Sequence, residues 1–200
     1  LPDNLSSLVL GMNNSSGLLL KIINDILDFS KIDSEQLKIS PVKFSPSEVV
    51  SHVQMNYLPL VIRKRMSLWR MIEADVPHTM FGDPIRLQQV ISNILSNAIK
   101  FTHTGGILLH LWCEDGYLYI RIRDTGIGIR QRDVQQLFDP FFQVEGKVQR
   151  NFQGTGLGLA ICEKLINMMD GDITVLSEPD IGSEFTLRLP IWQGEQGTLN

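Results

Sequence analysis

Residues 93–102 read NILSNAIKFT, and the rest of the chain is organised around this stretch. In a helix, side chains three and four residues apart share a face. Asn93, Asn97 and Lys100 therefore line one stripe, while Ile94, Leu95, Ala98 and Ile99 fall mainly on the other side and anchor the helix in a core. The polar stripe suits a metal-bridged polyphosphate. A carboxamide oxygen is a hard, neutral ligand for Mg²⁺, which takes its remaining oxygens from water and substrate phosphates, and Lys acts as a point charge on phosphate. The same stripe would also serve as a plain solvated face, so the surrounding segments have to discriminate.

Upstream, Asp83-Pro84 is a cap-then-proline signal that opens this helix, which runs through Leu87, Val90 and Ile91 to about Phe101. Downstream, Thr104-Gly105-Gly106 turns the chain into two strands, Ile107 to Cys113 and Tyr117 to Asp124, joined by the hairpin signal Asp115-Gly116. A short helix is expected from Arg130 to Leu137, then the aromatic cluster Phe138-Asp139-Pro140-Phe141-Phe142. Gln143 to Gln153 is polar, without a period, and of a length at which loops tend to be functional lids. A helix opens at Gly154 to Gly158 and is stopped by Asp170-Gly171. Two last strands, Ile173 to Ser177 and Glu184 to Pro190, precede a polar tail expected to be disordered from 193 to 200.

The N-terminal part has a different period. Leu5, Leu8, Met12, Ser15, Leu19, Ile22, Ile26 and Phe29 alternate steps of three and four, an a/d seam sustained for more than three heptads. Leu18, Leu20, Ile23 and Leu27 widen the apolar face, so this helix expects several neighbours. A Pro-punctuated connector from Asp33 to Pro46, with a short extended piece at Leu37-Lys38-Ile39, sets a domain boundary near Ser40. Ser45-Pro46 then starts a helix in which Pro59 is expected to distort or end a turn, and Met66 to Val76 has strand character.

Composition narrows the function classes. The chain has 200 residues and 43% hydrophobic content, enough for a real core. Eighteen basic against 22 acidic residues, a net charge of −4, leave no electrostatic footprint for nucleic acid. Cys113 and Cys162 have no metal-type spacing and read as buried free thiols. No apolar run approaches the length of a membrane span.

Two glycine motifs carry the remaining chemistry. Gly154-Thr155-Gly156-Leu157-Gly158 stands just before an amphipathic helix, where alternate glycines and free N–H groups suit an anion. The spacing is neither of the common phosphate-binding fingerprints, and a flexible turn would look the same. Asp124-x-Gly126-x-Gly128 follows a strand. It is either an ordinary turn or a carboxylate that accepts from an exocyclic amine, with glycines close to a base.

Taken together, NILSNAIKFT, DTGIGI, FDPFF and GTGLGLAICEKL resemble the asparagine, first glycine, phenylalanine and second glycine boxes of sensor histidine kinases, in the family's order. The resemblance spans about Ser40 to Ile191. It implies an α/β two-layer sandwich of the GHKL (Bergerat) ATPase/kinase type, with a mixed sheet and helices on one face. The arm, residues 1–39, resembles the second helix of the family's dimerisation and phosphoacceptor hairpin, and residues 40–192 the catalytic ATP-binding domain. The cofactors implied are ATP and Mg²⁺. Asp124 would recognise the adenine amine, with Gly126 and Gly128 lining the base pocket and Thr186 assisting through water. Asn93, Asn97 and Gln153 would hold the metal, with Lys100 and Arg150 on the phosphates. Gly154, Thr155, Gly156, Leu157 and Gly158 would contact phosphate and hinge the lid, and Phe138, Phe141 and Phe142 would anchor it or belong to plain core.

One departure from the family matters. Its phosphoacceptor lies in a His-Glu-x-x-Thr-Pro-like box, and His52, His78, His103 and His110 are each followed by something else. The partners implied are a phosphoacceptor histidine domain of the same protein, a second copy in a homodimer, and a downstream receiver domain, with no nucleic acid and no direct membrane contact. The place implied is the cytoplasmic portion of a bacterial inner-membrane protein. The chain is expected to begin just after the acceptor helix and to stop before a receiver. Two rivals stand beside this reading: a water-splitting ATPase of the chaperone, gyrase or mismatch-repair type, and a non-enzymatic nucleotide-sensing dimerisation module. The ATPases need a general base one turn before the metal Asn, and that position here is Asn93, whose amide cannot take a proton.

Overall fold

Two helices open on the same device, an oxygen-bearing side chain followed by proline. Ser45 caps helix α2 (Pro46–Arg63), its Oγ accepting from Glu48 N. Asp83 caps helix α3 (Pro84–Phe101), its Oδ1 accepting from Ile85 N and Arg86 N at 3.1 Å each. Proline at the first helical position forfeits an N–H that had no partner there. The second Asp83 oxygen accepts from Ser40 N at 3.0 Å, so the cap also ties the connector to the domain.

The computed structural model describes residues 3–144 and 155–192, with side chains from Ser16 onward except Leu18 and Lys21. The other elements are helix α1 (Asp3–Asp33), strands β1 (Val42–Phe44), β2 (Ser67–Ile72), β3 (Met80–Gly82), β4 (Gly106–Glu114) and β5 (Tyr117–Asp124), the short helix α4 (Gln131–Val134), helix α5 (Gly158–Met168), and strands β6 (Asp172–Glu178) and β7 (Gly182–Pro190). The five-stranded sheet runs β2-β4-β5-β7-β6; β2 and β4 are parallel and the other pairs antiparallel. β1 and β3 make a separate two-stranded ribbon.

Alternation along the strands divides the sheet into two faces. Ile107, Leu109, Leu111, Leu118, Ile120, Ile122, Phe185, Leu187 and Leu189 point into the core, where they meet Val49, Val50 and Val53 of α2, Ile91, Ile94 and Ile99 of α3, and Ile161, Leu165 and Ile166 of α5. The other face carries Trp112 stacked on Tyr119 and Arg121 over Trp112. The architecture is the expected two-layer sandwich with a mixed sheet.

Several local expectations need correction. The extended piece of the connector is Val42–Phe44, not Leu37-Lys38-Ile39, because β1 finds a hydrogen-bonding partner in β3 whereas Leu37 is simply buried. Pro59 does not end its helix. It lies on the exposed side, where the carbonyl of exposed Met55 that it orphans can bond to water. β2 stops at Ile72, short of Val76. The helix after Arg130 is only Gln131–Val134. α5 begins at Gly158, within the stretch expected to open it, and ends as expected, but Asp170, not Gly171, takes the left-handed conformation (φ 56°). Gly171 is needed for another reason: a Cβ there would lie 2.5 Å from the Arg188 carbonyl oxygen.

Replacing Asp83 by Ala removes acceptors for three backbone N–H groups, two at the start of α3. A loss of about 1–2 kcal/mol is expected from the cap, read as a lower urea midpoint with an unchanged slope.

Candidate functional site

α3 is built from two incompatible faces. Leu87, Val90, Ile91, Ile94, Leu95, Ala98 and Ile99 are buried, while Asn93, Asn97 and Lys100 are half-buried on the side turned away from the deepest core. Asn93 Nδ2 donates to the carbonyl of Gly158, the first residue of α5, at 3.3 Å. This bond joins the polar stripe of α3 to the N-terminus of α5, whose first N–H groups have no side-chain cap. It leaves Asn93 Oδ1 as the oxygen able to face a cation. The donor set of carboxamide oxygens beside a helix N-terminus fits Mg²⁺ held jointly with phosphate. Among the described residues no cluster of three or more His, Cys, Asp or Glu side chains could hold a metal instead.

The other half of the site lies at the end of β5. Asp124 is a buried carboxylate, 7% exposed, with Oδ1 accepting from Gly126 N at 2.7 Å. Burial raises its pKa above the usual carboxylate range, and the backbone hydrogen bonds from Gly126 and Ser183 partly oppose that rise. The loop that follows is pinned from both sides. Ile127 N donates to Phe101 O at 3.2 Å, at the end of the α3 stretch, and Asp180 N donates to Ile127 O at 2.8 Å. Ser177 Oγ accepts from Ile129 N at 2.8 Å and lies 2.9 Å from Ser183 Oγ. Gly126 and Gly128 are required here by the protein's own backbone. A Cβ on Gly126 would lie 2.7 Å from Asp124 Oδ1 and from the Phe101 carbonyl, and one on Gly128 1.9 Å from the Glu178 carbonyl.

Thr186 is a correction. It pairs with Arg121 and Thr174, between inward-facing Phe185 and Leu187, so it lies on the opposite face of the sheet from Asp124. The residue across from Asp124 is Ser183, which is buried. Counting back by two from Phe185 would have found it, since side chains on a strand alternate.

The phenylalanine cluster divides. Phe138 packs against the core, Phe142 is half-buried, and Phe141 is 66% exposed in the left-handed region (φ 65°). Its N–H donates to Gly156 O at 3.1 Å, and its ring lies 6.3 Å from that of Phe29 on α1. Gly156 itself sits at φ 72° with Phe141 backbone 2.7 Å from where a Cβ would be. Thr155 is half-buried and bonds Leu157 N at 3.2 Å. Arg150, Gln153 and Gly154, with most of the expected lid and the tail, lie outside the described residues.

A helix with an amide stripe, a buried acidic residue at a strand end and a glycine run before the last helix thus converge on one side of the domain. The model of the family described as histidine kinase-, DNA gyrase B- and HSP90-like ATPases matches residues 82–193. The chain belongs to that family. Within it, the chain is 67% identical over 192 residues to the sensor histidine kinase RcsC of Salmonella typhimurium, covering 96% of this chain and 20% of RcsC. It is 40% identical over 188 residues to the signal transduction histidine-protein kinase BarA of Escherichia coli, covering 92% of this chain and 20% of BarA. Among solved structures, full-length ShkA in complex with AMPPNP superposes with a TM-score of 0.83 at 28% identity, covering 97% of this chain and 40% of ShkA. The chain therefore spans about a fifth of the length of the curated relatives it matches. Among the described residues no helix is long and apolar enough to cross a membrane.

The raised pKa of Asp124 has a measurable consequence. The native state holds this proton more tightly than the unfolded chain, so the residue favours folding most below the ordinary carboxylate pKa, and that contribution is lost as pH rises through the raised value. Asp124→Asn cannot ionise. Relative to this variant, the wild type should lose stability across that window, from roughly pH 4 upward, and run parallel to it once ionisation is complete. Urea unfolding at a series of pH values checks this, and a difference independent of pH would contradict it.

Proposed function

We propose that this chain is the Mg-ATP-binding catalytic module of a two-component sensor histidine kinase and that, in the whole protein, it transfers the ATP γ-phosphoryl to a histidine on the dimerisation domain. The observation that carries this is the Asn93–Gly158 bond, which holds the amide stripe of α3 against the phosphate-suited N-terminus of α5. Residues 40–192 are assigned to the catalytic domain and 1–39 to the arm.

Asp124 accepts from the adenine amine, with Gly126 and Gly128 keeping the loop close to the base and Ser183 across from the carboxylate. Asn93 and Asn97 hold Mg²⁺ and the phosphates, Lys100 neutralises phosphate charge, and Thr155, Leu157 and the glycines 154, 156 and 158 give backbone contacts. Arg150 and Gln153 complete the phosphate and metal contacts. Mg²⁺, when bound, offsets phosphate charge. Phosphoryl transfer is mostly positioning and charge stabilisation, which suits a set of amides and cations with no nucleophile. The acceptor histidine domain, a second copy of the protein and a receiver domain are the partners, at the cytoplasmic face of a bacterial inner membrane. The hydrolytic alternative is disfavoured by Asn93, because an amide cannot act as the general base.

Two measurements test this reading. Asp124→Asn should weaken ATP binding by about 1.5–3 kcal/mol, the range for a hydrogen bond to a charged group, and should blunt the preference for ATP over GTP. Unchanged affinity by calorimetry would remove Asp124 from the site. Incubated with labelled ATP and a separate phosphoacceptor domain, the chain should pass acid-labile phosphate to that domain and retain none itself. Label on this chain would point first to His103, which is exposed and three residues from Lys100.

A further inference from the structure

Helix α2 is apolar on two sides. Val49, Val50, Val53 and Val61 are buried in the core, as a surface helix of a two-layer domain requires. On the opposite side Met55, Leu58 and Ile62 are 67%, 40% and 65% exposed. With Ser51 they form a row in steps of four, three and four residues, the spacing at which side chains of one helix fill the holes of another. Apolar side chains scattered singly over a surface call for no explanation. An aligned row on a helix whose other face already serves the core does.

Charge sets the same edge apart. Between Pro46 and Ile72 four basic residues, Arg63, Lys64, Arg65 and Arg70, stand against one acidic residue, Glu48, in a chain whose net charge is −4. Arg86, Arg121, Arg130 and Arg132 each have a carboxylate within 4.0 Å. Among the described residues the exposed Arg63, Arg65 and Arg70 have none. Arg63 and Arg65 follow the row at the end of α2, and Arg70 reaches its beginning by donating to Ser51 Oγ. The row therefore runs between cations that await counter-charges. We propose that the Met55-Leu58-Ile62 row docks an amphipathic helix from a protein partner, one whose apolar seam is flanked by Asp and Glu. A single row matches one helix laid along α2, whereas a lipid surface calls for a broad apolar face, and the remaining apolar surface of α2 is buried in the core. The dock lies one helix away from the candidate site. Tyr57 Oη donates to Ser92 O at 3.2 Å and Lys64 Nζ donates to Ile99 O, and these acceptors adjoin Asn93 and Lys100 on α3. Docking there is independent of the nucleotide reading above.

The test uses the whole chain. It is titrated with a synthetic amphipathic peptide that carries Leu along its a/d seam and Glu on both flanks, with a second peptide in which Lys replaces Glu, and with vesicles of anionic phospholipid. Amide NMR spectra locate binding, and fluorescence anisotropy of the labelled peptide gives its affinity. The Glu peptide should shift amides 51–65 and bind more weakly as salt rises. Ile62→Asp, at an exposed position, should weaken binding about tenfold or more, as for a residue central to an interface. Arg63→Glu combined with Arg65→Glu should weaken the Glu peptide and strengthen the Lys peptide. Leu176→Asp, at a 72% exposed apolar position on β6, should change nothing. No binding of the Glu peptide, equal binding of both peptides, shifts confined to other segments, or indifference to Ile62→Asp would each overturn the proposal. Binding to vesicles without binding to the Glu peptide would assign the face to a lipid surface instead. A dimer of the chain that Ile62→Asp abolishes, again without peptide binding, would assign it to a second copy.

Discussion

α3 is the element on which everything else leans, because its two faces are under opposite demands. Seven apolar residues of one face are buried, at roughly 1.5–3 kcal/mol for each large side chain, so the helix can neither rotate nor slide without exposing them. That rigidity is what places Asn93, Asn97 and Lys100. The ends are held as well. Asp83 closes the N-terminus and draws in Ser40, and at the C-terminus the Phe101 carbonyl accepts from Ile127 N, so the helix sets the position of the loop after β5.

That loop shows how a small polar site is held without bulk. Asp124 is buried beside glycines whose missing side chains make room for carbonyls of neighbouring segments. Gly182, at φ 135°, lies so close to β5 that a Cβ would stand 2.0 Å from the Asp124 carbonyl oxygen. Close backbone approach from two sides leaves the carboxylate in a narrow, dry place. Its ionisation is disfavoured by burial and rescued in part by two N–H donors. Such a group is costly to the empty protein and is rewarded when a ligand supplies another donor.

The arm meets this frame through both charge and burial. Among the described residues Leu19, Leu20, Ile23, Ile26 and Leu27 remain exposed on α1, part of the wide apolar face for which the sequence leads one to expect several neighbours. Toward the catalytic domain α1 buries Ile32 in the core and packs Phe29 against it, beside the polar contacts of Asp25, Asp28 and Asp33, which are individually weak when solvated.

Much of this was legible in the residues alone. Ser45-Pro46 and Asp83-Pro84 announce helix starts, Asp115-Gly116 announces a hairpin, and strict alternation marks the strands, because each of these rests on local sterics or on a period of the backbone itself. The amide stripe and the glycine run were likewise visible as patterns. What tertiary structure decided was everything that depends on a distant partner. β1 became a strand because β3 lies beside it, Pro59 was tolerated because its side of the helix faces water, and Gly171 and Asp170 exchanged the roles a local rule assigns them because Arg188 crosses nearby. Thr186 fell on the face opposite to Asp124 and Ser183 on the same face as Asp124, a matter of register across three strands. Asp25, 130 residues from Thr155 along the chain, carries no local mark of its contact. Spacing reports which residues can share a face; only the packing of that face against another determines what they touch.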